Sequence, residues 1–349
     1  MVQKSSLLFS FSILLTLFSM SCSDDNSEKT PDVSNISVDF KVRRFENELF
    51  KADTLYFAQE LAQIKEKDPE FAEIYFNQIL GANDPHIAPQ GEEKYLIGFT
   101  HFKEVRKLYD TIQHLYADFK PIEADFQNAF KYFAYYFPGK STPSITTFIS
   151  EFSLGNFIYG ENNLAVGLDF YLGSTYPYQQ KNPQNPNFSA YLTRTFNAEH
   201  LVSKTLQPLV DDLVPQPETD HLLALMIREG KKLYIQEKLL PDTPDSILME
   251  VTRQQWDWLV ENEKEIFAYF VQESLFYDSN WQKIRKYVEY SPNSPGMPVE
   301  APGRTGAWLG WQIVKAFMKK NPSITLTELT QKVDSKQFLT ESAYKPPRK

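Results

Sequence analysis

Cysteine is almost absent: Cys22 stands alone in 349 residues. One thiol cannot close an internal disulfide, and it cannot build a thiolate metal site. Histidine is scarce too. His86, His101, His114, His200 and His221 include no two that are four apart. The helix face with two imidazoles that the zinc-peptidase pattern H-E-x-x-H requires is therefore missing. So are the G-x-S-x-G elbow, the P-loop and the dinucleotide pattern G-x-G-x-x-G. No block of lysine or arginine occurs, and the net charge is −9. That balance excludes nucleic acid as the main partner, because phosphate binding needs a basic patch.

Long apolar runs are lacking as well. Residues 7–18 form an apolar stretch of twelve, behind Lys4. A membrane-spanning helix needs ~20 residues, so this stretch reads as a secretory signal. It is followed by Ser-Met-Ser and then Cys22. A cysteine in that position resembles the lipobox of a bacterial lipoprotein, in which the thiol is acylated and several acyl groups anchor the protein. Ser19 stands where that pattern usually has leucine. Residues 1–21 are thus expected to be a signal peptide, and residues 22–35 a lipidated Cys22 with a flexible tether. The tether SDDNSEKTPDVSN is polar and acidic apart from Val33.

Residues 36–349 read as a single α+β domain, mostly helical with a small antiparallel or mixed sheet. Alternation over 36–45 predicts a strand. Helical spacing covers 53–67, 69–80 and 93–117, and another helix opens at Pro121 and stops at Pro138-Gly139. Strands follow in 143–152, with two more in 157–173 joined across 160–163. After a proline- and asparagine-rich loop the helical pattern returns over about 188–214, 219–236, 252–277, 280–290 and 304–319. All five tryptophans lie at or after Trp256, which places the densest packing there.

Four residues outside the core pattern invite a functional reading. In NAEHLVSK, Glu199 and His200 sit at a helix start, where a carboxylate is favourable; they are either half of a metal motif or an exposed helical pair. Glu229 lies on the next helix beside Gly230, a residue that suggests close backbone approach. Arg304 opens the last helix against the helix dipole, so it requires a carboxylate or a ligand as partner. Gly306 and Gly310 share one face of that helix at a cost of ~1 kcal/mol each, which makes sense if another element packs closely there.

The segments MIREGKKLYI (226–235), TRQQWDWLVENEKEIFAYFV (252–271), LFYDS (275–279) and PGRTGAWLGWQIVKAFM (302–318) together resemble the GldB family of gliding-motility lipoproteins from the Bacteroidetes. GLDFYLG (167–173) and the lipobox fit the same family. The resemblance implies a cell-envelope lipoprotein, held to the membrane by its N-terminal lipid with a periplasmic domain, on the inner or the outer membrane. Its implied partners are envelope proteins of the gliding and type IX secretion-associated machinery. The family is also similar to predicted zinc peptidases that carry H-E-x-x-H, a later E-G pair and a glycine-rich last helix. Glu229-Gly230 matches the pair and the stretch from Gly306 to Val314 the last helix, while the region of Glu199 reads AEHLV. This implies a zincin-like arrangement with a degenerate motif, no bound metal, no cofactor and no catalytic residue. The cleft of Glu199, His200, Glu229 and Arg304 would then bind a partner. The alternative is an active zinc-dependent hydrolase of envelope peptides.

Overall fold

The structure is a computed structural model that describes residues 30–181 and 183–347. The expected signal peptide and Cys22 lie outside the described residues. A compact unit begins at Asp32. Val33, within the stretch expected to be tether, is buried at 5% exposure, and its carbonyl accepts from Ile36 N at 3.0 Å. The one apolar residue of that stretch is what draws its end into the body.

The body is mostly helical around a four-stranded mixed sheet. Its strands are β1 (Val42–Arg44), β2 (Ile145–Phe148), β3 (Asn156–Tyr159) and β4 (Asn163–Gly167), in the order β1-β2-β4-β3. β1 and β4 flank β2 in parallel, and β3 returns antiparallel on β4. β2 is buried along its whole length, which its ITTF sequence allows because both threonines find partners. Thr146 Oγ1 meets Tyr159 OH at 2.9 Å, and Thr147 Oγ1 donates to Glu46 at 2.6 Å. The first strand is shorter than the alternation over 36–45 suggests. Ile36, Val38 and Phe40 do pack against the core, but only Val42–Arg44 lie beside β2. Alternation records a buried face, and a strand also needs a neighbour.

Two other departures have local causes. Pro69–Ala72 starts a helix under the Asp68 cap, then widens into a π-helix over Glu73–Ile79. The wider turn lets the consecutive Tyr75 and Phe76 both be buried, with the Tyr75 hydroxyl donating to Ile149 O at 2.8 Å. The pattern over 93–117 is broken at Phe102, which is extended (ψ 126°), giving helices Glu92–His101 and Lys103–Leu115.

The densest packing joins helices Leu222–Leu239 and Thr305–Lys320. They cross through glycine. A Cβ on Gly230 would lie 2.3 Å from the Gly310 carbonyl carbon, and one on Gly310 would lie 1.9 Å from Met226 O. Trp308 and Trp311 are buried beside this crossing, and the Trp311 indole donates to Glu237 at 2.9 Å. Helices Leu326–Gln331 and Ser335–Ser342 come last in the fold, and Phe338 stacks on Phe317 with centroids 4.1 Å apart.

Candidate functional site

Helix Ala198–Leu213 begins at Asn197, whose amide oxygen caps it by accepting from His200 N. The same Asn197 oxygen lies 2.9 Å from His200 Nδ1. The cap turns His200 inward, where it is 7% exposed, and leaves Glu199 facing solvent. Burial pushes the His200 imidazole down to about 4, outweighing the pull of Glu250. The folded protein therefore keeps His200 neutral, while the unfolded state protonates it below about 6.5. The resulting stability is fully present above that pH and is lost as pH falls toward 4. We expect His200 to account for roughly 3 kcal/mol of acid destabilisation across that window. Denaturant midpoints measured from pH 7 to pH 4 should fall less steeply for His200→Gln than for the parent. Parallel curves would refute this.

The next helix is capped by His221, whose Nδ1 accepts from Ala224 N at 3.2 Å. One face of it carries Arg228, Glu229 and Lys232. Glu229 Oε1 accepts from Lys232 at 2.7 Å and from Arg228 at 3.2 Å. Both cations also reach Asp211 Oδ1, at 2.9 and 3.0 Å. Arg304 approaches from the start of helix Thr305–Lys320 with φ 64°, a left-handed backbone that is uncommon for arginine. It is 7% exposed. Its guanidinium lies 4.4 Å over the Tyr290 ring and 3.8 Å from Glu229 Oε2, and its Nε has no partner. The carboxylate partner that a cation at a helix start requires is thus Glu229, at the long end of an ion pair.

A second carboxylate, Glu250, carries no mark in the sequence pattern. It is 4% exposed and holds φ 56°. Lys204 Nζ and Gln207 Nε2 each donate to it at 2.6 Å, and Arg194 donates to its carbonyl at 2.6 Å. The Tyr290 hydroxyl donates to the same carboxylate. Burial would raise its carboxyl, but the charges of Lys204 and Arg304, with hydrogen bonds from Lys204 and Tyr290, hold it near 2. Local spacing cannot reveal Glu250, because it lies in a loop before the Thr252 cap and its partners come from segments distant in the sequence.

Glu229, Arg304 and several of their partners border a cavity of about 1060 Å³. Lys204, Arg228, Lys232 and Arg304 contribute cations, and Asp211, Glu229 and Glu289 contribute carboxylates. Phe152, Phe188, Tyr191, Trp281 and Tyr290 form aromatic parts of the wall. Glu229 and Arg304 are thus brought together here, whereas Glu199 and His200 are not among the lining residues. The 152–156 segment belongs to the wall as well. It is held by Asp169 of the GLDFYLG stretch, a fully buried carboxylate that accepts from Ser150 N at 3.1 Å and Phe152 N at 2.7 Å. Burial raises that carboxyl to about 6 despite these bonds. Among the described residues, no group of three or more His, Cys, Asp or Glu side chains is placed to hold a metal ion.

A family model described as gliding motility protein GldB matches residues 26–346. The chain belongs to the GldB family. No curated protein and no solved structure matches it. The GldB match spans the cavity, the glycine crossing and the left-handed residues Glu250 and Arg304. Membership makes this a gliding-motility-associated lipoprotein, and among the described residues no helix is long and apolar enough to cross a membrane.

Proposed function

We propose that this GldB-family protein is an envelope lipoprotein of the gliding-motility machinery, anchored through an acylated Cys22. Its folded body recognises an envelope partner and does not cleave one. The observation that carries the reading is the family match over residues 26–346. The cavity supports recognition, since it sets charged groups beside aromatic walls in one concave place. Hydrolysis has less support. Glu229 is engaged by Arg228, Lys232 and Arg304, and Glu199, the other carboxylate of a zincin-like pair, faces solvent outside the cavity lining.

The anchor is tested by Cys22→Ser in a gliding host. Most of the protein should move from the membrane fraction to the soluble fraction, and colony spreading should be lost. Unchanged fractionation would remove the lipid from the account. The recognition role is tested with a photoreactive residue at Trp281, on the cavity rim, which should crosslink an envelope protein in living cells.

A further inference from the structure

Backbone strain, unmet polar atoms and exposed apolar groups coincide at the cavity. Among the described residues, non-glycine left-handed conformations occur at Phe152 and Arg304, which line it, at Glu151 and Glu250, which adjoin these two, and elsewhere at Ser274 and Ala343. Such conformations are costly and collect at ligand clamps. Of the buried side-chain polar atoms without partners among the described residues, two belong to lining residues, Arg304 Nε and Asn156 Oδ1, and the rest lie elsewhere. The exposed apolar side chains Leu154, Tyr290 and Trp281 lie on the same lining, at 39%, 41% and 44% exposure.

The chemistry of the wall narrows the ligand. Lys204, Arg228, Lys232 and Arg304 face Asp211, Glu229 and Glu289 in this wall, leaving a local surplus of positive charge in a protein of net charge −9. Arg304 is only loosely matched, because its ion pair with Glu229 is 3.8 Å long. A guanidinium fork fits a planar carboxylate in two-point contact. The side-chain amides of Asn187 and Gln216 and the unmet Oδ1 of Asn156 offer donors and acceptors that suit peptide groups and would be wasted on an acyl group. The volume of about 1060 Å³ is slightly beyond that of small-ligand pockets and leaves room for an extended peptide of several residues.

We propose that the cavity binds a peptide carboxylate next to an apolar residue, with Arg304 taking the carboxylate and Trp281 and Tyr290 flanking the apolar side chain. The carboxylate comes from the C-terminus of a peptide or from an acidic side chain. The proposal rests on reading the cavity as a recognition site and is independent of the lipid anchor.

The test uses the purified full-length protein and three acetylated tetrapeptide libraries that contain phenylalanine or leucine. One has a free C-terminal carboxylate. One is amidated with an internal Asp or Glu. One is amidated and neutral. Saturation-transfer NMR identifies binders, and calorimetry ranks them. One of the two carboxylate libraries should yield binders, and which one does so identifies the source. The neutral library should bind about tenfold more weakly. Arg304→Lys should cost a similar factor. Trp281→Ala, at an exposed position, should weaken binding several-fold at unchanged Tm, so a folding failure at Arg304 would not block the test. Equal binding of the neutral library, no binding by any library, or no effect of Trp281→Ala would overturn the proposal. If the Trp281 crosslink still captures an envelope protein while the peptides fail, recognition stands and the carboxylate assignment falls. Peptide binding without a crosslink gives the reverse.

Discussion

Gly310→Ala is expected to destabilise the protein by roughly 3 kcal/mol or more, a large share of a typical domain's stability. The added Cβ would sit 1.9 Å from Met226 O and 2.5 Å from Met226 C. These are backbone atoms of a buried helix, so no side-chain rotation relieves the overlap and the two helices must part. Parting them disturbs the packing of Trp308 and Trp311 and moves Arg304, which begins the same helix. Propensity alone predicts the opposite sign, since alanine is favoured over glycine in a helix by about 1 kcal/mol. Gly98 supplies the control. It lies inside helix Glu92–His101, and a Cβ there would meet nothing within 4 Å. Gly98→Ala should raise the urea midpoint while Gly310→Ala lowers it. If both raise it, the crossing is looser than the structure shows.

Glu250→Gln carries the second large effect. The substitution keeps the shape of the side chain and removes its charge, leaving Lys204 without its counter-ion beside the buried Arg304. Breaking a buried ion pair from one side costs about 3–5 kcal/mol, because the remaining charge stays desolvated. Adding Lys204→Met should return part of that loss, and the double-mutant cycle should show a coupling of about 1 kcal/mol or more. Additive effects would mean that Glu250 is held by Tyr290 and Gln207 alone. The pH dependence runs in the direction of a depressed acid. With a folded value near 2 against an ordinary 4.5, the stabilisation by Glu250 is complete above the ordinary value. It is lost as pH falls through the folded one.

The sequence shows most where a residue carries a local cost. Gly230, Gly306 and Gly310 are poor helix residues, so their presence signals close approach, and helices Leu222–Leu239 and Thr305–Lys320 meet at Gly230 and Gly310. Arg304 at a helix start signals a carboxylate partner, and Glu229 is there. The helical majority and the small sheet follow from periodicity in the same way. What stays hidden depends on neighbours distant in the sequence. Lys204 and Glu250 are 46 residues apart, and neither stands out in its own segment. The burial of His200 follows from the rotation that the Asn197 cap imposes, which spacing does not record. Glu199 and His200 share a motif on paper, yet adjacent helix positions point about a quarter-turn apart, so one is exposed and the other buried.

The parallel pairing of β1 with β2 sets a constraint on how the protein matures. Val42–Arg44 is made early, and about a hundred residues must follow before Ile145 to Thr147 arrive to pair with it. Until then the segment presents an open edge next to the apolar Phe45, which in the folded body packs on Phe71 and Tyr75. Arg43 and Arg44 occupy two of the three positions in that strand, and their acidic partners Glu48 and Glu46 lie within the next turn of backbone. The waiting strand is thus charged and locally screened, a composition that discourages it from pairing with other copies of itself. Two arginines in a three-residue strand are a poor choice for sheet stability and a good one for surviving the delay.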